Sequence, residues 1–187
     1  MNEETPAGHR TLELAFAFEM ALAAVALVIG RLLGVSPLES LWWSPTDFGL
    51  GLLAAAPLVG LLCLAMWQPI EPFRRIAGMV HQLVQLLFGA AKIWDVVAIS
   101  AAAGFGEELL FRGLVQAGAE RLTGSKWLAV SAGAVLFGAA HPITRAYALL
   151  AAAIGAYFGW LFVVSGNLLV PIVAHGGYDA VAIVYFL

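Results

Sequence analysis

The chain has 187 residues, of which 62% are hydrophobic and only 11% are charged, and its formal net charge is −3. A soluble domain is roughly half apolar and about a quarter charged, so this composition excludes an ordinary soluble protein and predicts a single integral membrane domain over residues 1–187. The acidic balance gives no sign of nucleic-acid binding, and the only cysteine, Cys63, cannot form an intrachain disulfide.

Apolar segments recur along the chain at, or close to, the length of about 20 residues that a membrane-crossing helix needs. Glu3 and Glu4 precede the first segment, where a signal peptide would be basic, so we expect an uncleaved first span. The predicted spans are 12–33, 48–67, 93–120, 126–141, 146–165 and 166–187.

Two connecting segments differ in composition from the spans. Residues 36–48 contain two prolines and paired tryptophans, which is typical of an interfacial loop. Residues 71–90 mix apolar and polar side chains, and we interpret them as an amphipathic helix on the membrane surface or against the bundle. The predicted fold class is therefore all-α, a polytopic bundle of about six transmembrane helices plus one amphipathic interfacial helix.

The distribution of lysine and arginine favours both termini in the cytoplasm. With six spans, five cationic residues fall on the side of the N-terminus and three on the other side, and cytoplasmic loops carry the excess of such residues. The five are Arg10, Arg74, Arg75, Lys92 and Arg145, and the three are Arg31, Arg121 and Lys126.

The third predicted span contains Glu107, Glu108 and Arg112, although a charge at the centre of a bilayer costs at least about 2.5–3.5 kcal/mol. On a helix, Glu108 and Arg112 lie four residues apart and can form an ion pair, whereas Glu107 points about 100° away. We therefore expect one carboxylate to be neutralised and the other to face a different partner. A single buried ion pair of this kind is also typical of residues that only hold membrane helices together.

Two further polar pairs lie on later spans. Phe137 and His141 share a helix face, and so do His175 and Asp179. Pro142 disfavours α geometry at His141, which is therefore predicted at a helix end, where a lone histidine is usually structural. Polar residues on three separate spans indicate a function rather than a purely structural role. We expect them to meet in one cluster that is open to water on one side.

The motifs "EELLFR", "FGAAH" and "HGGYD", in this order on separate spans, resemble those of the CAAX prenyl protease type II and bacteriocin-processing family, also called the abortive-infection (Abi) family. The resemblance covers about residues 90–185 and implies a catalytic core there. It implies an intramembrane endopeptidase of the bacterial inner membrane, in contact with membrane lipid and acting on peptide or protein substrates that are lipidated in some members.

The same resemblance implies roles for individual residues. Glu107 is the catalytic glutamate, His141 helps it to hold or activate water, and His175 with Asp179 completes the site. The implied catalytic set is Glu107, Glu108, Arg112, His141, His175 and Asp179.

Asp179 departs from the prenyl-protease pattern, which typically has asparagine at this position. An ionised aspartate cannot donate a hydrogen bond to an oxyanion, so Asp179 is protonated, orients His175 or binds a metal. We favour one divalent ion such as zinc, because two histidines and two carboxylates form a plausible ligand set, with a metal-free glutamate mechanism as the alternative. The predicted ligands are Glu107, His141, His175 and Asp179.

Two other functions are compatible with these residues. A membrane scaffold or bacteriocin-immunity protein of the same family would keep the motifs but act by binding. Buried carboxylates and histidines also relay protons in transporters, although this chain shows no paired-half repeat. Peptide-bond hydrolysis by a glutamate-activated water is the predicted function.

Overall fold

The computed structural model describes residues 6–67 and 70–187, and every regular element within them is a helix. The predicted all-α class is therefore confirmed. Glu3 and Glu4, on which the uncleaved first span was argued, lie outside the described residues. The helices are α1 (Pro6–Leu33), α2 (Pro45–Trp67), α3 (Glu71–Phe88), α4 (Ile93–Thr123), α5 (Lys126–Ala140), α6 (Arg145–Ser165) and α7 (Leu169–Phe186).

Four of these helices, α1, α2, α6 and α7, are long and apolar enough to cross a membrane. Helices α3 and α4 meet at an angle of 112° and form a fifth candidate span if they are taken together. Helix α5 is apolar but has only 15 residues, which is about 22 Å at 1.5 Å per residue. The expected number of about six spans agrees roughly with these four or five candidate spans and one shorter apolar helix.

The predicted amphipathic helix is α3, which lies against the bundle. Val84 and Phe88 on its apolar side belong to a buried cluster that also contains Phe186 of α7. On its polar side, His81 Nδ1 donates to the carbonyl oxygen of Phe186 at 2.9 Å, and Gln85 Nε2 donates to the same oxygen at 3.1 Å. Both kinds of contact hold α3 next to the end of α7.

Helices α4 and α7 approach each other closely enough to require glycine. A Cβ atom on Gly104 would lie 2.6 Å from the carbonyl oxygen of Ile172, and one on Gly176 would lie 2.8 Å from the carbonyl oxygen of Ser100. Small residues at such crossings let two backbones come together. This crossing brings the polar segments of α4 and α7 side by side.

The middle of α4 departs from the regular α-helix that the sequence predicts for 93–120. Residues Leu109–Gln116 are π-helical, and the helix ends only at Gly124, whose φ of 69° is left-handed. Short π-helical segments are rare and occur often at functional sites. In this segment two buried polar side chains, Arg112 and Gln116, reach carbonyl groups on α6.

Candidate active site

Three helices carry the polar residues that the sequence singled out, and the structure brings them to one place. Glu107 and Glu108 lie on α4 at the start of the π-helical segment, and His175 and Asp179 lie on α7. His141 ends α5 with non-helical angles (φ −113°, ψ 56°), as Pro142 predicts. The expected polar cluster is therefore formed.

The inner cluster consists of Glu108, Arg112 and His175. Arg112 Nη1 donates to Glu108 Oε1 at 2.8 Å, and His175 Nδ1 lies 2.8 Å from the same oxygen. The side chains of Glu108 and Arg112 are 0% exposed, and that of His175 is 6% exposed. The predicted Glu108–Arg112 pair therefore exists, and it is sealed from solvent with a histidine as third member.

Aromatic rings and a backbone carbonyl enclose the arginine of the inner cluster. Arg112 Nη2 donates to the carbonyl oxygen of Gly155 at 2.6 Å. Its guanidinium carbon lies 4.8 Å from the ring centroid of Phe137 and 5.5 Å from that of Phe158, which is in the range of cation–π attraction. Phe158 also stacks on His175, with centroids 4.8 Å apart. These contacts fix the position of the inner cluster.

The acceptors on α6 were missed by the sequence analysis, although a signal for them exists. Gln116 Nε2 donates to the carbonyl oxygen of Gly159 at 3.1 Å, one turn along from the Arg112–Gly155 bond. Gly155 and Gly159 form a Gly-x-x-x-Gly pattern, which is typical of close helix contacts in membranes. That pattern predicts the helix contact but not its role in holding Arg112.

The cavity-facing group consists of Glu107, His141 and Asp179, whose side chains are 12%, 26% and 28% exposed. Glu107 Oε2 lies 3.9 Å from His141 Nε2 and has no hydrogen-bond partner within the described part of the chain. Asp179 Oδ2 lies 3.3 Å from His175 Nε2, so that His175 connects the two sets of residues. The two adjacent glutamates are thus divided between two environments, as helix geometry predicts.

Backbone contacts define the hydrogen-bonding state of His141. Its Nδ1 lies 2.7 Å from the carbonyl oxygen of Phe137, and because a carbonyl only accepts, Nδ1 carries the hydrogen in this contact. The ring stacks on Phe137, with centroids 4.6 Å apart. In the neutral ring, Nε2 is then left as an acceptor that faces Glu107.

A cavity of about 360 Å³ opens beside the cavity-facing group. Its polar end contains Glu107, His141, His175 and Asp179, and two tyrosines that the sequence analysis did not single out, Tyr147 and Tyr178, lie next to them. Most of its remaining wall is apolar and comes from α2, α3, α6 and α7, with side chains that include Leu62, Met66, Val80, Ile154 and Ile183. The volume is in the range of small-molecule pockets.

The four predicted metal ligands are not grouped as a coordination shell. Within residues 6–67 and 70–187, no set of three or more His, Cys, Asp or Glu side chains is arranged to hold a metal ion. Nδ1 of His175 is occupied by Glu108 and Nδ1 of His141 by a backbone carbonyl, so each ring has only Nε2 left towards Glu107 or Asp179. The donor set as it stands therefore does not fit a metal, and we derive no chemical step through one.

Residues 88–181, half of the chain, match a sequence model of the family described as type II CAAX prenyl endopeptidase Rce1-like. All three motifs lie within the matched residues, whereas α1 and α2 lie outside them. No curated protein and no solved structure matches the chain.

Proposed function

The chain belongs to the type II CAAX prenyl endopeptidase Rce1-like family, a protease family, and we propose that it hydrolyses peptide bonds with a water activated by Glu107. One observation carries this proposal. Glu107 lines the cavity, and its buried Oε2 has no hydrogen-bond partner in the described chain and lies 3.9 Å from the acceptor Nε2 of His141. A carboxylate in this position is free to take a proton, as a general base must be.

The two acceptor atoms are suited to hold a water molecule between them. Such a water donates one hydrogen to Glu107 Oε2 and the other to His141 Nε2, and its lone pairs point towards a peptide carbonyl in the cavity. When the water oxygen bonds to the carbonyl carbon, its proton moves to Glu107 and the carbonyl oxygen becomes an oxyanion. This gives Glu107 the role of base and His141 the role of positioning the water.

His175 can donate a hydrogen bond to the oxyanion. Its Nε2 lies on the cavity and is 3.3 Å from Asp179 Oδ2, which is longer than the roughly 2.7–2.9 Å of a strong charge-assisted bond. A ring that is protonated on both nitrogens keeps its bond to Glu108 through Nδ1 and can donate from Nε2 to the new charge. Asp179 then orients the ring and balances its charge.

Collapse of the tetrahedral intermediate completes the reaction. The carbon–nitrogen bond breaks, Glu107 returns its proton to the leaving nitrogen, and the products are a carboxylic acid and an amine. The glutamate is then a carboxylate again and is ready for another water. Each step uses only side chains of this chain that lie on the cavity.

The apolar part of the cavity supports a substrate with a lipid chain or an apolar peptide segment. Side chains from four helices form a wall of hydrocarbon that leads directly to the polar end. Burial of apolar surface there is favourable by about 25 cal/mol for each Å². We propose that a peptide carrying such a group binds with the group in the apolar part and its scissile bond at Glu107.

The test is cleavage of a fluorescent peptide by the purified protein in lipid vesicles, with a prenylated peptide and its unmodified twin as substrates. We expect the prenylated peptide to be cleaved with a lower KM, and Glu107→Gln to cleave neither. Equal activity of the wild type and Glu107→Gln would overturn the proposed role of the glutamate. Equal KM values for the two peptides would overturn the lipid proposal alone.

We also propose that the protein lies in a bacterial inner membrane with both termini in the cytoplasm. The excess of lysine and arginine on the side of the N-terminus supports this orientation. Reporter enzymes fused to the C-terminus distinguish the two orientations, and we expect activity only from the cytoplasmic reporter. A periplasmic C-terminus would overturn the proposed orientation.

A further inference from the structure

Helix α1 carries one acidic side chain that its membrane environment does not explain. Glu19 lies near the middle of the apolar stretch Arg10–Leu33 and is half-buried. Its Oε2 atom is buried and has no hydrogen-bond partner among residues 6–67 and 70–187. An ionisable residue in a span is costly and usually functional, so Glu19 calls for a partner or a role.

Backbone packing places Glu19 next to the active-site segment of α4. The carbonyl oxygen of Glu19 lies so close to Gly106 that any Cβ atom there would overlap it. Gly106 directly precedes Glu107, so the contact fixes α1 against the residue that we propose as the base. Helix α1 lies outside the residues that match the family, and the match therefore assigns Glu19 no role.

The side chain of Glu19 faces the same polar cluster from the side of α1. Its carboxyl group is within electrostatic range of Glu107 of α4 and of His141, His175 and Asp179. Glu107 resembles Glu19 in this respect, since its Oε2 is also a buried acceptor without a partner in the described chain. Two acidic side chains on helices in backbone contact thus each have a buried oxygen that needs a hydrogen-bond donor.

We propose that Glu19 is a positioning residue that holds a second water against Glu107, an inference that rests on the proposed function. This water donates one hydrogen to Glu19 Oε2 and the other to Glu107 Oε2. A carboxylate oxygen has two lone pairs, so Glu107 can accept from this water and from the hydrolytic water together. Buried waters in proteins occupy such positions between otherwise unsatisfied polar groups.

This arrangement gives α1 a part in the reaction. Fixing one lone pair of Glu107 Oε2 orients the carboxylate, so that its other lone pair points to the hydrolytic water near His141. A small error in the orientation of a reacting group can reduce a rate by about a hundredfold. Glu19 acts only through Glu107, and it should therefore affect turnover rather than substrate binding.

The first test separates the kinetic constants of peptide cleavage for three variants. Glu19→Leu removes the acceptor and should lower kcat by about ten- to a hundredfold with KM within twofold of the wild type. Glu19→Gln keeps an acceptor oxygen and should recover most of that loss. Glu13→Gln removes a carboxylate from an exposed position of the same helix and should leave kcat unchanged.

The second test does not need activity. Infrared spectra recorded in ordinary and in ¹⁸O-labelled water identify bands of bound water, and we expect one band that Glu19→Leu and Glu107→Leu both remove, because each replaces an acceptor oxygen by an apolar group. Glu13→Gln should retain it. If the wild type cleaves no peptide but this band behaves as expected, the proposed hydrolysis fails while the water site stands.

Two results would overturn the inference. One is a Glu19→Leu protein whose kcat lies within twofold of that of an active wild type. The other is a water spectrum that Glu19→Leu does not change, whether or not the wild type is active. If the first result comes with a loss of thermal stability in Glu19→Leu, the role of Glu19 is structural instead.

Discussion

Glu107 and Glu108 are adjacent in the sequence, yet the structure places them in opposite environments. Glu108 is 0% exposed and shares its Oε1 atom between Arg112 and His175. Glu107 lines the cavity, and its buried Oε2 has no partner in the described chain. One helix thus separates a carboxyl group that is paired inside the bundle from one that lines the cavity, because successive residues point about 100° apart.

The largest effect on activity is expected from the cavity-facing glutamate. Glu107→Gln has nearly the same shape but cannot accept a proton, so turnover should fall by at least about 10²–10⁴-fold. Thermal unfolding in detergent should not change, since Glu107 Oε2 forms no hydrogen bond within the described residues. A variant that is inactive only because it is unfolded would not support the division between the two glutamates.

Variants of the inner cluster should instead change the stability of the protein. Arg112→Ala leaves Glu108 as an unpaired buried charge and should destabilise the protein by about 3–5 kcal/mol, with a loss of activity that follows from the loss of folded protein. The measurement is thermal unfolding in detergent together with activity per folded molecule. Arg112→Lys keeps the charge but loses the planar guanidinium with its two donor nitrogens, and its stability should lie between those of the wild type and Arg112→Ala. Wild-type stability of Arg112→Ala would contradict the structural role of the pair.

The close crossing of α4 and α7 keeps the inner cluster and the cavity-facing group in their positions relative to each other. A side chain at Gly104 would meet the backbone of Ile172 and Gly176, so Gly104→Ala should force the helices apart and cost about 1–3 kcal/mol. Activity should fall as well, because the 2.8 Å contact between Glu108 and His175 lengthens.

Gly60 on α2 provides the matched control for this variant. A Cβ atom there would meet nothing within 4 Å, so Gly60→Ala should be neutral or slightly stabilising. If the two alanine variants unfold at the same temperature, the crossing does not limit the approach of the helices.

The smallest effect is expected at Asp179. The side-chain oxygen of asparagine can still accept from His175 Nε2, and the exchange of a charged for a neutral acceptor should cost about 1 kcal/mol, or roughly fivefold in rate. Chelators should not affect the wild type or Asp179→Asn. Inhibition of the wild type by a chelator, reversed by zinc, together with a large loss in Asp179→Asn, would instead favour the metal site that the sequence predicts.

Several features were predictable from the sequence because they depend on local rules. Composition and the length of the apolar segments predict a helical membrane protein, and the mixed pattern of 71–90 predicts the amphipathic helix that the structure has at Glu71–Phe88. The spacing of Glu108 and Arg112 predicts their ion pair, and Pro142 predicts the helix end at His141. The catalytic roles assigned by resemblance stay predictions until the variants are measured.

Other features were decided only by tertiary packing. The contact of Glu108 with His175 joins residues 67 positions apart, and that of Arg112 with Gly155 joins residues 43 positions apart. Glu19, which reads as an isolated polar residue in its span, lies beside Glu107 only because α1 crosses α4 at Gly106. A sequence pattern fixes which face of a helix a residue occupies, but the partner of that face depends on how the helices cross. For this reason the separation of a sealed pair from an open cavity was determined by the packing of α1, α4, α6 and α7.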